Sequence, residues 1–430
     1  MCRSRNKLLS PLLFLALSVF GVACKVQVPN ITQVPKTGYS EYIVLTHLTL
    51  IDGTGNKAVK NSTIEIQNGL ITNIYVGEPN NIPKTAQIFD LHGKYAIPGL
   101  IDGHVHLTSD ETTKDGMEFL QKQFANGVTS VRDMAGNGTA LKAIQEWASN
   151  SAIPACKVYF SAIVAGPEFL ANDPRVPSAA GNSIAGEVSW MPKLDETTDI
   201  EALVSEAKSF GVTAIKLYAD IPSELAIAVI EEAHAQDIQA WAHCTLYPAE
   251  PKDLVFANID AISHAEMLHS VTDTVIPDWY EEDSEYDIDS IFTQTMTEFL
   301  TEMAMKNIVL DATLLVADRN PYANAVTKRA HDLGVLIGAG TDFYGEFPLL
   351  EELKLLIQEA HLTPNEAIQA ATMNNAIALG IEESYGSIEV HKVGNIVILN
   401  ANPLDNIDNL GQIMYVIKEG QLFENDSNND

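Results

Sequence analysis

Two histidines one residue apart, His104 and His106, end an apolar run in Pro98-Gly99-Leu100-Ile101-Asp102-Gly103-His104-Val105-His106. In a strand, residues i and i+2 face the same side. The two imidazoles then lie about 6–7 Å apart by strand rise and can converge on one metal ion. Alone, such a pair is a weak signal. Lys216 in Ala214-Ile215-Lys216-Leu217-Tyr218, His243 in Trp241-Ala242-His243 and His264 in Ile262-Ser263-His264 lie at the ends of later candidate strands, and Asp342 follows Gly340-Thr341. For any one of them, an internal hydrogen bond is the commoner fate of a buried polar group. Together, at consistent strand ends, they point to one shared site.

They become neighbours only if their strands lie side by side. Eight strands are predicted: Ala96–His106, Thr129–Met134, Lys157–Val164, Ala214–Ala219, Gln239–His243, Ala261–His264, Ile308–Thr313 and Leu336–Thr341. Most are apolar throughout, as strands buried on both faces should be. Helical stretches such as Thr198–Phe210 and Ser223–Ala235 alternate with them. Another helix is punctuated by Thr363 as N-cap, Pro364 in the first turn, Glu366 completing a capping box and Gly380 as the stop. This alternation predicts a parallel sheet closed into a (β/α)8 barrel over residues 96–382, with its chemistry at the C-terminal mouth.

Both ends of the chain are β-rich. Tyr42–Leu50, Ser62–Gln67 and Leu70–Val76 are separated by the turn formers Asp52-Gly53 and Asn68-Gly69, and Gly394–Asn400 and Gln412–Lys418 return the pattern. These segments predict a small β-sandwich domain from residues 41–95 and 383–423. The long connections Gly166–Ile200 and Met267–Met296 are expected to be lids or binding loops. The acidic run in the second (Asp278, Glu281, Glu282, Asp283, Glu285, Asp287, Asp289) reads as a solvated face. Residues 424–430 are expected to be a disordered tail.

The formal net charge of −31 excludes a phosphate-backbone partner, which needs a basic surface; no nucleic acid is expected. Arg3, Arg5 and Lys7 precede an apolar run from Leu8 to Ala23, the layout of a secretory signal peptide over residues 1–23. Gly21-Val22-Ala23-Cys24 resembles a bacterial lipobox without its usual leucine. It predicts an exported protein lipidated at Cys24, periplasmic or at the cell surface, held at the membrane by that lipid alone. Residues 24–40, with Pro29 and Pro35, read as a tether. Cys156 and Cys244 read as buried small apolar residues rather than a disulfide framework. Homo-oligomerisation is left open by the sequence.

The strand-end constellation resembles the amidohydrolase superfamily, in the branch of imidazolonepropionase-like enzymes and metal-dependent, prolidase-type dipeptidases. Its flanks agree: Leu50-Ile51-Asp52-Gly53-Thr54-Gly55, Gly127-Val128-Thr129-Ser130-Val131-Arg132-Asp133 and Val397-Ile398-Leu399-Asn400-Ala401-Asn402-Pro403-Leu404. The resemblance spans residues 44 to 420. It implies that His104, His106 and Asp342 hold one metal and His243 and His264 a second, with Lys216 carboxylated and bridging both, zinc being the metal that suits the set. It also implies metal-activated hydroxide attacking an amide carbonyl, Asp342 carrying the proton to the leaving amine. The substrate expected is a small-molecule amide, a dipeptide or N-acyl amino acid. Alternatives are a cyclic amide such as an imidazolone or hydantoin ring, a mononuclear deaminase, or a surface lipoprotein without catalysis. The deaminases usually carry a glutamate three residues after the strand-five histidine, where this chain has Leu246. Arg132 and Asp133 read as an internal pair or as a clamp, through Arg132, for a substrate carboxylate. Tyr218 shares a strand face with Lys216 and is a candidate substrate contact.

Overall fold

The computed structural model describes residues 31–33, 42–108, 112–274 and 286–425. The signal segment, Cys24, most of the tether, the acidic residues from Asp278 to Glu285 and residues 426–430 lie outside the described residues.

Eight parallel strands form the barrel: Leu100–Val105 (β1), Val128–Asp133 (β2), Lys157–Val164 (β3), Ala214–Leu217 (β4), Gln239–His243 (β5), Ala261–Ser263 (β6), Val309–Asp311 (β7) and Leu336–Gly338 (β8). Each pairs with the next in chain order. Nearly all their residues are buried, because helices cover the outer faces and side chains fill the interior.

Between β8 and β1 the ring is closed by single contacts instead of a ladder. Gly103 N donates to Ala339 O at 2.9 Å and Asp342 N to His104 O at 2.8 Å. The buried amide of Asn375 donates to Ile101 O and Ala339 O, both at 2.8 Å. Asp102 accepts from Thr341 N and Oγ1 at 3.1 and 2.9 Å. The seam is thus sealed beside the strand that carries His104.

Six strands stop short of their predicted ends, β1 and β2 by one residue each. After β4, β6, β7 and β8 the chain enters the left-handed region at Asp220, His264, Thr313 and Asp342, with φ of 59°, 71°, 50° and 45°. Such φ values are costly for residues with a Cβ and gather where function holds them. Two of these four are candidate ligands.

The predicted strand Ala96–His106 is two strands. Tyr95–Pro98 belongs to the other sheet, and the chain crosses into the barrel at Gly99. A Cβ on Gly99 would lie 2.3 Å from Thr129 Oγ1, so only glycine fits the crossing.

The second sheet is a separate domain built from both ends of the chain, continuous over nine strands. Tyr42–Leu50 changes neighbour along its length, pairing with Gln87–Asp90 by its first half and with Tyr95–Pro98 by its second. Ile43, Leu45 and Ile64 from one end and Ile396, Ile398 and Ile417 from the other share one core. Gln421–Asn425 pairs antiparallel with Ile31–Gln33. Residues 424–425, predicted as tail, and 31–33, predicted as tether, therefore extend this sheet. Asn425 Nδ2 also donates to Ala125 O at 3.1 Å, fixing the strand end to the barrel.

The long loop after β3 folds into the helices Pro167–Asn172 and Val176–Ala180 and a two-strand hairpin, Glu187–Val188 with Met191–Pro192. Cys156 and Cys244 are buried free thiols. Among the described residues, no helix is long and apolar enough to cross a membrane.

Candidate metal centre

The strand ends bring the imidazoles together at one mouth. Ring centroids lie 5.2 Å apart for His104 and His106, 4.8 Å for His104 and His264, and 5.0 Å for His243 and His264. Asp342 Oδ1 is 3.3 Å from His106 Nε2, and Oδ2 is 3.9 Å from His104 Nε2. His104, His106 and Asp342 can each offer a ligand atom within 4.8 Å of the others. Lys216, fully buried on β4, donates to Ser263 Oγ at 2.8 Å.

The backs of the rings are held. His106 Nδ1 meets Ala135 O at 2.9 Å, His264 Nδ1 meets Thr313 Oγ1 at 2.9 Å, and His104 Nδ1 meets Asp311 Oδ2 at 2.7 Å. Contacts of this kind fix ring orientation and leave Nε2 for a ligand. Burial, reinforced by the positive charge of neighbouring groups, holds His104, His243 and His264 well below the usual imidazole range. They are neutral rings with lone pairs to give.

Burial also drives the Lys216 amine well below the ordinary lysine range, partly opposed by Asp311. A neutral amine is the form that can take up carbon dioxide, whereas an ammonium is only a donor. Burial raises the Asp342 carboxyl, and His106 opposes the rise. His104 Nε2 is buried with no hydrogen-bond partner, which is costly unless something accepts its lone pair. Neutral imidazoles, a carboxylate and that orphaned nitrogen fit a divalent metal.

Sequence reasoning missed Asp311. It ends β7, fully buried, and its Oδ2 also accepts from Arg132 Nη2 at 2.9 Å and Ser263 Oγ at 3.0 Å. The available signal was a lone acid closing the apolar run Val309-Leu310-Asp311. The same contacts correct the reading of Arg132. Its side chain is fully buried under the site, donates to Gly103 O at 2.5 Å, and its guanidinium carbon lies 4.7 Å from the Trp241 ring centroid. It can neither reach a substrate in the cavity nor pair with Asp133, which instead accepts from Leu107 N and Ala135 N at 2.6 and 3.2 Å.

A cavity of 380 Å³ opens against His106 and Asp342. Tyr218 lines it, as its strand face predicts, and its ring meets His243 at 4.5 Å. Most of the wall is apolar, with Phe119, Ile163, Phe169, Met191, Phe343 and Tyr344. Arg175 adds a cation to the wall, braced by Asp173 through contacts of 2.9 and 2.6 Å. Phe169, Arg175 and Met191 come from the long loop after β3.

Known proteins resemble this chain in sequence and fold. The chain is 22% identical over 409 residues to an imidazolonepropionase of Symbiobacterium thermophilum, covering 81% of this chain and 87% of the relative. It is 24% identical over 392 residues to that of Phocaeicola vulgatus, covering 84% and 91%. Among solved structures, a Xaa-Pro dipeptidase with bound methionine superposes with a TM-score of 0.70 at 20% identity, over 89% of this chain and 100% of the other. An ochratoxinase of A. niger superposes with a TM-score of 0.68 at 19% identity, over 89% and 95%. The amidohydrolase family profile matches residues 95–423, from the last strand before the barrel into the last strand of the terminal sheet, and the chain belongs to that family.

Proposed function

We propose that this protein is a metal-dependent hydrolase of a carbon–nitrogen bond, acting on the amide of a dipeptide or N-acyl amino acid. The convergence of His104, His106, Lys216, His243, His264 and Asp342 beside an apolar cavity carries this reading. His104, His106 and Asp342 would hold one zinc, His243 and His264 a second, and a carboxylated Lys216 would join them. Bound metal supplies Lewis-acid polarisation of the amide carbonyl and acidification of water. Asp342, whose carboxyl burial raises above its ordinary value, accepts the proton of the attacking water and returns it to the leaving nitrogen. The aromatic wall takes an apolar side chain and excludes water from the cleaved bond. Arg175 supplies the positive charge that a substrate carboxylate seeks.

A cyclic-amide substrate is the second reading, favoured by the likeness to imidazolonepropionases over four-fifths of the chain. Deamination is disfavoured, because the position three residues after His243 is the buried apolar Leu246. We also propose export and lipidation at Cys24, on the leader alone; radiolabelled fatty acid should enter the wild type and not C24A. The substrate test is hydrolysis by zinc-loaded protein across dipeptides, N-acyl amino acids and imidazolone or hydantoin rings. Turnover of the linear amides supports the proposal. Turnover confined to rings would replace it with the second reading, and no turnover of any amide would contradict both.

A further inference from the structure

Asp311 touches both halves of the centre. Its Oδ2 takes three donors, His104 Nδ1 at 2.7 Å, Arg132 Nη2 at 2.9 Å and Ser263 Oγ at 3.0 Å. A carboxylate so placed can only accept, so His104 carries its proton on Nδ1 and presents a bare Nε2 to the site. The Ser263 hydroxyl, having given its hydrogen to Asp311, accepts from Lys216 Nζ at 2.8 Å. One carboxylate therefore fixes a histidine on β1 directly and the lysine on β4 through a single hydroxyl. Arg132 balances its charge and is itself locked by Gly103 O and the Trp241 ring. Asp311, Arg132, Ser263 and Lys216 are all fully buried, so no water competes for these bonds.

The backbone is cleared for this carboxylate. A Cβ at Gly340 would lie 2.2 Å from Asp311 Oδ1 and 2.6 Å from His104 Cβ. His106 and His264 lean on a carbonyl and a hydroxyl; His104 is backed by a carboxylate.

We infer that Asp311 is the positioning residue of the metal centre, setting the tautomer and aim of His104 and, through Ser263, the place of the Lys216 nitrogen. The inference rests on the proposed metal centre and adds a residue outside its ligand set. A carboxylate behind a ligating histidine raises its basicity, and losing such a partner weakens metal affinity about 10–100-fold.

The test is Co²⁺ binding to wild type and D311N, read by chelator competition and by the visible absorption of the bound ion. D311N should bind about 10–100-fold more weakly, with a shifted spectrum. Since D311N leaves Arg132 without its counter-charge, the double variant R132Q/D311N is measured in parallel for folded protein. Binding in either folded variant within about twofold of wild type, with an unchanged spectrum, would overturn the inference even if apo-protein stability fell. Wild type that binds no Co²⁺ would overturn the metal centre itself, and the inference with it.

Discussion

A histidine serves a metal only when one nitrogen is bare and the ring cannot turn away, and for His104, His106 and His264 neighbours outside the candidate ligand set meet both conditions. Thr313 does this for His264 with one hydroxyl at 2.9 Å. T313V keeps the volume and removes the partner, and should weaken metal binding about 10–100-fold while the fold persists; chelator competition measures it. Asp342 both faces the rings and stands at the cavity wall. As the proton carrier, its replacement in D342N should cost about 10²–10⁴ in kcat, beyond what any fall in metal content explains when rates are normalised to bound metal. The candidate ligands could be picked out in the sequence because each lies at or just past the end of a predicted strand. Asp311 was not, because its donors arrive from β1, β2 and β6, and only the closed barrel sets them around it. Arg132 was misplaced for the same reason: its partner lies 179 positions away.

Elements place these residues by where they stop. β6 ends as His264 turns left-handed, and past the end of β8 Asp342 turns left-handed too; both side chains swing into the mouth in place of continuing the pleat. Strand existence and order followed from apolar runs and alternation. The split at Gly99 did not, since two strands of different sheets meet there without a break in hydrophobicity. Gly340 is a constraint of element scale: G340A drives a methyl into Asp311 and His104 and should lose about 1–3 kcal/mol of stability together with metal affinity, checked by denaturant titration and Co²⁺ binding.

The helix Pro348–Gln358 carries another buried carboxylate, Glu352, which accepts from Leu314 N and Leu315 N at 3.0 and 2.7 Å. Burial pushes its carboxyl up to about 8. The folded state therefore binds this proton more tightly than the unfolded chain, where glutamate titrates near about 4.3. Its contribution is greatest below that value and is lost as pH rises toward about 8. The stability difference between wild type and E352Q should shrink across that interval. A difference flat with pH would contradict the assignment.

At the scale of the molecule, the barrel and the terminal sheet are tied by Gly99 and by Asn425 on Ala125 O. Metal that binds only the folded centre should stabilise the molecule by about 2.7 kcal/mol at a hundredfold excess over its dissociation constant, visible as a higher melting temperature. We propose a joined pair of metals in this mouth. Metal stoichiometry of the purified protein, with intact mass before and after acid treatment, tests it most directly. Two metals per chain and the loss of one carbon dioxide on acidification are expected. A single metal with no mass change would contradict the bridging Lys216 and leave a mononuclear site of His104, His106 and Asp342 with its neighbours.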